Sequence, residues 1–158
     1  MKRTSNRIAR WLAIALLASA GQAHALGMDV PYESFATAPD VDWIKVCGQW
    51  PAPAQPPSEG RGMYRIVHAT RYGQSFVYLQ WIVRDGNDSA SEVHTQSFDA
   101  INNDHAEITL TQMHCQPTRR GIRFTARAQS SHDDSVFRIT IDAGHKPGEV
   151  RFRTTQKR

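Results

Sequence analysis

Histidines are the first residues to consider for chemistry, because imidazole is both a general base and the commonest metal ligand. Six lie beyond residue 25: His68, His94, His105, His114, His132 and His145. None belongs to a closely spaced pattern such as His-Glu-x-x-His, and no glycine pattern of a phosphate- or dinucleotide-binding loop occurs. We therefore expect no metal and no cofactor. His68 falls on the apolar side of a predicted strand, so it is expected to be a hydrogen-bonded core residue.

Serines are the second candidates, as nucleophiles activated by a histidine and an acid. No Gly-x-Ser-x-Gly elbow occurs. Ser75, Ser97 and Ser130 each have acids and histidines nearby, and the sequence does not select among them. Adjacent carboxylates occur at Asp133-Asp134, where neighbouring strand residues would point apart rather than share a substrate. A hydrolase with an unidentified site is the third of three hypotheses for function.

The two cysteines, Cys47 and Cys115, allow only one pairing. There is no Cys-x-x-Cys motif, so neither a thioredoxin-like site nor a zinc ribbon is indicated. In an exported chain an even pair predicts a disulfide, and closing so long a loop would stabilise the fold by about 4 kcal/mol. The alternative is a pair of buried thiols.

Residues 1–25 have the composition of a cleavable secretory signal peptide. Four basic residues precede an apolar run of ten residues, Trp11–Ala20, and Ala23-His24-Ala25 provides the small residues of a cleavage site. The run is too short to cross a bilayer, which takes about 20 residues. We therefore expect a bacterial protein that is periplasmic or secreted, with no membrane insertion after cleavage and a single domain over residues 26–158.

The net charge of +4 belongs to the full sequence and not to that domain. The four basic residues of 1–25 account for it, and residues 26–158 carry 15 basic and 15 acidic residues. Their distribution is uneven, with 5 basic and 11 acidic residues in 26–115 but 10 basic and 4 acidic residues in 116–158. A neutral domain with few aromatic residues among its arginines is not expected to bind nucleic acid.

The pattern beyond residue 26 is the alternation of β-strands. Turn-forming residues separate eight segments, and a Pro-rich loop over residues 51–62 follows the first of them. Residues 98–105 could form one helical turn. Short alternating strands at this spacing predict an all-β fold, either an antiparallel sandwich or a flattened eight-stranded barrel with one disulfide. The predicted strands are Trp43–Trp50, Met63–Thr70, Ser75–Arg84, Ser91–Phe98, Ala106–His114, Gly121–Gln129, Ser135–Asp142 and Glu149–Thr155.

The second and third strands form a hairpin whose register follows from the turn at Arg71-Tyr72-Gly73-Gln74. One face contains Tyr64, Trp81 and their neighbours and is apolar enough to be the core. The other face is also largely apolar, so the hairpin is either buried on both sides or displays a partner-binding patch. Burial would come from the Pro-rich loop or from the segment over residues 28–35. The residues of this second face are Met63, Arg65, Val67, Phe76, Tyr78, Gln80 and Ile82.

The last three strands place apolar residues on one side and arginines on the other. Arginine binds carboxylates and phosphates through two parallel hydrogen bonds, so this side is a candidate anion-binding face. The alternative is a solvated surface. The five arginines, here called the arginine face, are Arg123, Arg127, Arg138, Arg151 and Arg153.

Together these features favour an exported, non-catalytic binding protein, such as an inhibitor, immunity or accessory protein that recognises another protein of the cell envelope. The hairpin face is the first candidate contact and the arginine face is the second. The alternative is a module that binds a small ligand or an anionic glycan. The sequence does not predict the oligomeric state.

Overall fold

The computed structural model describes residues 27–36, 40–54, 60–84 and 89–156. The predicted signal peptide lies outside these residues, as does the centre of the Pro-rich loop. Within the described part of the chain, no helix has the length and apolar character needed to span a membrane.

All eight predicted strands are present, with ends within a few residues of those expected. One helical turn, α1, lies inside the segment predicted to contain one, and a 3-10 turn at Tyr32–Ser34 precedes the strands. In chain order the elements are β1 Val41–Trp50, β2 Gly62–Arg71, β3 Gln74–Arg84, β4 Ala90–Gln96, α1 Asp99–Asn102, β5 Ile108–Thr118, β6 Gly121–Ser130, β7 Val136–Ala143 and β8 Val150–Gln156.

The strands form two antiparallel sheets that are consecutive in the chain, with orders β1-β2-β3-β4 and β5-β6-β7-β8. The helical turn α1 carries the chain from the first sheet to the second. Of the two predicted architectures, the structure is therefore the sandwich and not the closed barrel. Each sheet is a simple meander, so strands that are consecutive in the chain are neighbours in the sheet.

The main core lies between the sheets and follows the predicted alternation. Phe124, Ile139 and Ile141 of the second sheet are fully buried, as are Tyr64 and Trp81 of the first. The buried hydroxyl of Tyr64 and the indole N–H of Trp81 both have a hydrogen-bond acceptor. Tyr64 Oη and Trp81 Nε1 donate to the carbonyl of Gly144 at 2.9 and 3.3 Å. These two bonds connect the middle of the first sheet to the end of β7.

The predicted disulfide joins the first strand of each sheet. Cys47 in β1 and Cys115 in β5 are bonded with their Cα atoms 5.8 Å apart, and both residues are buried. Neither cysteine is free. The bond closes a loop of 68 residues in sequence separation and fixes one edge of the sandwich.

The register of the β2–β3 hairpin is the predicted one. Arg65 pairs with Gln80, and Val67 pairs with Tyr78. One face of the hairpin enters the main core, as expected. The opposite face belongs to a second, smaller core, and how that face is covered bears directly on function.

Candidate functional site

The arginine face occupies the outer surface of the second sheet, and all five of its arginines are exposed. Strand pairing arranges the side chains in three rows across β6, β7 and β8. Threonines fill the positions between the arginines. The rows are Arg123–Asp142–Arg151, Thr125–Thr140–Arg153 and Arg127–Arg138–Thr155.

One carboxylate lies among these arginines and orients two of them. Asp142 Oδ1 accepts a hydrogen bond of 2.5 Å from Arg123 Nε, and its Oδ2 accepts one from Arg153 Nη2. The hydrogen bond from Arg123 lowers the pKa of Asp142 below its ordinary value, and Arg153 acts in the same direction, while burial opposes them. Asp142 is therefore ionised at neutral pH, and it fixes the guanidinium groups of both arginines.

The other three arginines of the face have no such partner. Arg127, Arg138 and Arg151 form no ion pair with any residue in the described ranges. Arg127 and Arg138 are also direct cross-strand neighbours, which places two like charges side by side. Opposed like charges destabilise a strand pair, so an anion that binds both guanidinium groups would stabilise this row.

Beside the arginines, the outer surface forms a shallow trough of about 500 Å³. It is lined by Arg123, Arg138 and Arg153, by the threonines between them, and by His114 and Gln116 of β5. The lining contains no Phe, Tyr or Trp, so His114 is the one aromatic side chain of this trough on which a base could stack. Its donors suit carboxylate, phosphate or sulfate groups. His114 and Gln116 were not predicted to lie on this face, because β5 has a register shift between Thr111 and His114 and continues past His114, where the predicted strand ended.

The hairpin face that was predicted to bind a partner is mostly buried within the chain. Val67, Phe76 and Tyr78 form the second core with Phe35, which lies on top of them and is itself fully buried. Tyr78 Oη donates a hydrogen bond of 2.7 Å to the carbonyl of Val30. The segment over residues 28–36 therefore covers this half of the face, which is the burial alternative that the alternation left open.

The remaining half of the hairpin face contains a network of side-chain hydrogen bonds. Arg65 Nε donates to Gln80 Oε1 at 2.7 Å, and Gln80 Nε2 donates to Glu92 and Thr95 at 2.9 Å each. Gln80 and Ile82 are buried, whereas Met63 and Arg65 are partly exposed. Most of the seven predicted partner contacts are thus committed to internal packing or hydrogen bonds in this structure.

Of the candidate serines, Ser75 lies beside a histidine and an aspartate, as in a hydrolytic triad, but His68 Nδ1 makes no hydrogen bond within the described residues. His68 Nε2 lies 3.1 Å from Ser75 Oγ, and His68 Nδ1 lies 3.3 Å from Asp42 Oδ2. Burial lowers the pKa of His68, and the nearby Asp42 carboxylate partly offsets that effect. The histidine is therefore neutral at pH 7, as a general base must be.

A substrate could not reach Ser75 and His68, because both side chains are buried. Ser75 is only 2% exposed and His68 only 6%. The Ser75 hydroxyl also accepts the backbone N–H of Leu110 at 2.9 Å, so it connects β3 to β5 of the opposite sheet. The arrangement acts as a buried structural link, as the core position of His68 predicted.

The other two serines have local structural partners. Ser97 Oγ donates to Asp29 and accepts from Asn102, and Ser130 Oγ accepts the backbone N–H of His132. Neither serine forms a hydrogen bond with a histidine ring in the described part of the chain. Over the same residues, no group of three or more His, Cys, Asp or Glu side chains is arranged to hold a metal ion.

An exposed aromatic residue was not singled out by the sequence pattern. Tyr72, at the tip of the β2–β3 hairpin, is fully exposed and has a φ of +53°. The only signal for it was its place in the predicted turn, directly before Gly73.

Comparison with known proteins gives no relationship on which to infer function. No family model matches the chain, and no curated protein or solved structure is significantly similar to it. A function for this chain must therefore be inferred from the geometry of its described residues.

Proposed function

We propose that this protein is an exported, non-catalytic binding protein that recognises an acidic surface of another protein through the arginine face. The observation that carries the proposal is the opposed pair Arg127 and Arg138, both exposed and without an acidic partner in the described ranges. The backbone of the site is held by strand pairing on both sides of β7. Binding there costs little conformational entropy of the backbone.

An acidic protein fits this surface better than a glycan or a nucleic acid does. The face mixes guanidinium groups with threonines and includes Asp142 as an internal acceptor. Arginine is enriched at the centres of protein interfaces, where it binds carboxylates bidentately. The trough has no Phe, Tyr or Trp, and the aromatic side chains near it are His114 and, in the pocket beside Arg127 and Arg138, Phe137. A sugar ring or a base therefore has few stacking partners at this surface.

The predicted signal peptide supports the export part of the proposal. The Cys47–Cys115 disulfide is compatible with it, because such bonds persist in oxidising compartments. These two features favour a bacterial protein that is periplasmic or secreted. The buried Ser75 and His68 argue against the hydrolase hypothesis, since a substrate cannot reach them in this structure.

Binding to poly-L-glutamate, an acidic polypeptide, tests the proposal. Calorimetry should show an affinity for the wild-type protein that falls as salt is added. The double variant Arg127→Gln/Arg138→Gln should weaken it about tenfold or more, because each lost hydrogen bond to a carboxylate is worth about 1.5–3 kcal/mol. The matched control, Lys45→Gln/Arg61→Gln, removes the same charge from exposed positions elsewhere and should bind like wild type.

Three results would overturn the proposal. Equal weakening in both double variants would show a nonspecific charge effect. No binding of poly-L-glutamate at low salt would show that the arginine face is a solvated surface. Binding of heparin at least tenfold tighter than poly-L-glutamate, with the same dependence on Arg127 and Arg138, would identify an anionic glycan as the ligand.

A further inference from the structure

The tip of the β2–β3 hairpin holds an aromatic residue in an unfavourable backbone conformation. Tyr72 and Gly73 have φ values of +53° and +78°, as in the tight turns of hairpins with two-residue loops. Such turns favour Asn, Asp or Gly at these positions, and a bulky residue with positive φ is uncommon. The ring of Tyr72 is fully exposed, so burial of the ring does not compensate for this conformation.

The residues on either side of the tip are held firmly. On one side, Arg71 donates to Asp40 Oδ2 at 2.9 Å and to the carbonyl of Ser34 at 3.0 Å, and its guanidinium lies 4.2 Å above the Phe35 ring. Arg71 is therefore anchored to the segment that covers the second core.

On the other side, the carboxamide of Gln74 is fully used. Its Nε2 donates to the carbonyls of Ile101 and Asn103 at 3.1 and 2.5 Å, and its Oε1 accepts the N–H of Glu107 at 3.0 Å. These bonds fix the hairpin to the connection between α1 and β5. The tip therefore presents Tyr72 on a preorganised support, which reduces the entropy lost when the ring binds.

Beside Tyr72 is a groove of about 450 Å³ with an acidic border. Asp104 and Glu107 line it, and both are exposed. Each carboxylate lies 3.9 Å from a histidine nitrogen, of His105 and His132 respectively, which is too far for a hydrogen bond. Asp104 also accepts the N–H of Met28 at 3.0 Å. The one arginine of the groove, Arg71, is already paired with Asp40.

We infer that the hairpin tip is a second protein-docking element, which inserts the Tyr72 ring into a concave site of a partner that carries lysine or arginine at its rim. Exposed tyrosines on rigid supports are frequent hot spots of protein interfaces. The basic rim would meet Asp104 and Glu107. This element has the opposite charge to the arginine face and different residues, so its role is separate from the function proposed for that face.

The first test measures the cost of Tyr72 to the free protein. Tyr72→Asn should have a melting temperature equal to or above that of wild type, because asparagine accepts positive φ and the ring has no internal packing to lose. The matched control is Tyr32→Asn. In the wild type the Tyr32 ring packs with its centroid 5.5 Å from that of Tyr78, so losing this ring should lower the melting temperature. A clear fall in Tyr72→Asn would show that the ring supports the fold, and would overturn the inference.

The second test identifies what the ring contacts. The photoreactive residue p-benzoylphenylalanine is placed at position 72 of the full chain and, as a control, at Val93, an exposed apolar position on β4. After irradiation in an extract of the source organism, mass spectrometry should find one protein crosslinked at 72 and not at 93. The crosslinked peptide should lie in a concave site bordered by lysine or arginine.

The captured protein is then purified and titrated with variants. Tyr72→Ala and Asp104→Asn/Glu107→Gln should each weaken its binding at least tenfold, whereas Val93→Ala should not. Arg127→Gln/Arg138→Gln should leave it unchanged, which separates this element from the arginine face. Crosslinks to a second copy of this chain, crosslinks equal at positions 72 and 93, or binding insensitive to Tyr72→Ala would overturn the inference.

Discussion

Arg127 of β6 and Arg138 of β7 lie directly opposite each other, and both side chains are exposed on the outer surface of the second sheet. On the same face, Arg151 lies opposite Asp142. Asp142 also lies opposite Arg123, so the arginine face contains one cross-strand pair of like charges and two of opposite charges. This contrast allows the electrostatic interpretation of the surface to be tested by exchanging single charges.

Replacing Arg138 by glutamate should stabilise the free protein. Arg138→Glu converts the like-charge pair with Arg127 into an opposite-charge pair, a change worth a few tenths to about 1 kcal/mol in favour of folding at low salt. Urea denaturation measures it as an increased free energy of unfolding. The same variant should lose affinity for poly-L-glutamate, so that stability and binding change in opposite directions.

The control for this prediction is Arg151→Glu. It places a second carboxylate opposite Asp142 and should lower the free energy of unfolding by a similar amount. If both variants are destabilised equally, the opposed arginines do not repel each other, and the main support for an anion site is lost.

Protonation of His68 should destabilise the fold in mild acid. Burial lowers the pKa of this histidine below its ordinary value of 6.5. As the pH falls below 6.5, the unfolded chain takes up a proton that the folded protein still excludes. The free energy of unfolding therefore decreases from pH 6.5 down to the folded pKa, whereas above pH 6.5 the contribution of His68 is complete.

Urea denaturation between pH 7.5 and pH 5 measures this slope, and His68→Gln should reduce it. His145→Gln, which changes an exposed histidine, should retain the slope of wild type. A nuclear magnetic resonance titration gives the pKa of His68 directly, and a midpoint above 6.5 would contradict the prediction.

Removing one hydroxyl should loosen the segment that covers the hairpin face. Tyr78→Phe deletes the hydrogen bond from Tyr78 Oη to the carbonyl of Val30 and leaves that acceptor without its partner, at a cost of about 1 kcal/mol. Limited proteolysis should then cleave residues 27–36 faster than in wild type. Tyr32→Phe is the control, because the Tyr32 hydroxyl makes no hydrogen bond within the described ranges. Equal cleavage rates in the two variants would show that the bond does not hold the segment.

The disulfide should account for much of the stability. Cys47→Ala/Cys115→Ala should lower the free energy of unfolding by about 4 kcal/mol, because the bond restricts a loop of 68 residues in the unfolded chain. Reduced wild type, which keeps both sulfur atoms, separates this effect from lost packing and should be destabilised to a similar degree. A change below about 1 kcal/mol in the reduced protein would contradict the prediction.

Features that depend on local periodicity could be predicted from the amino-acid sequence alone. Alternation with period two located eight strands, the turn at Tyr72 and Gly73 set the β2–β3 register, and the same alternation placed the five arginines on one face. The pairing of Cys47 with Cys115 followed from having only two cysteines. Each of these depends on neighbours within a strand or a hairpin, or on elimination, so no distant contact was needed.

What covers each surface, and which polar groups contact each other, became known from the three-dimensional structure. The hairpin face was ambiguous in sequence because an apolar strand has the same pattern whether it is buried by its own chain or by a partner. Phe35 and Val30, more than 30 residues away in sequence, settle it by packing on Tyr78 or accepting its hydrogen bond. The meeting of His68 with Ser75, and of Asp142 with two arginines, likewise depends on side-chain geometry across strands. Periodicity determines on which face of a sheet a side chain lies. Whether that side chain is buried, hydrogen-bonded or exposed depends on residues that are distant in sequence and close in space.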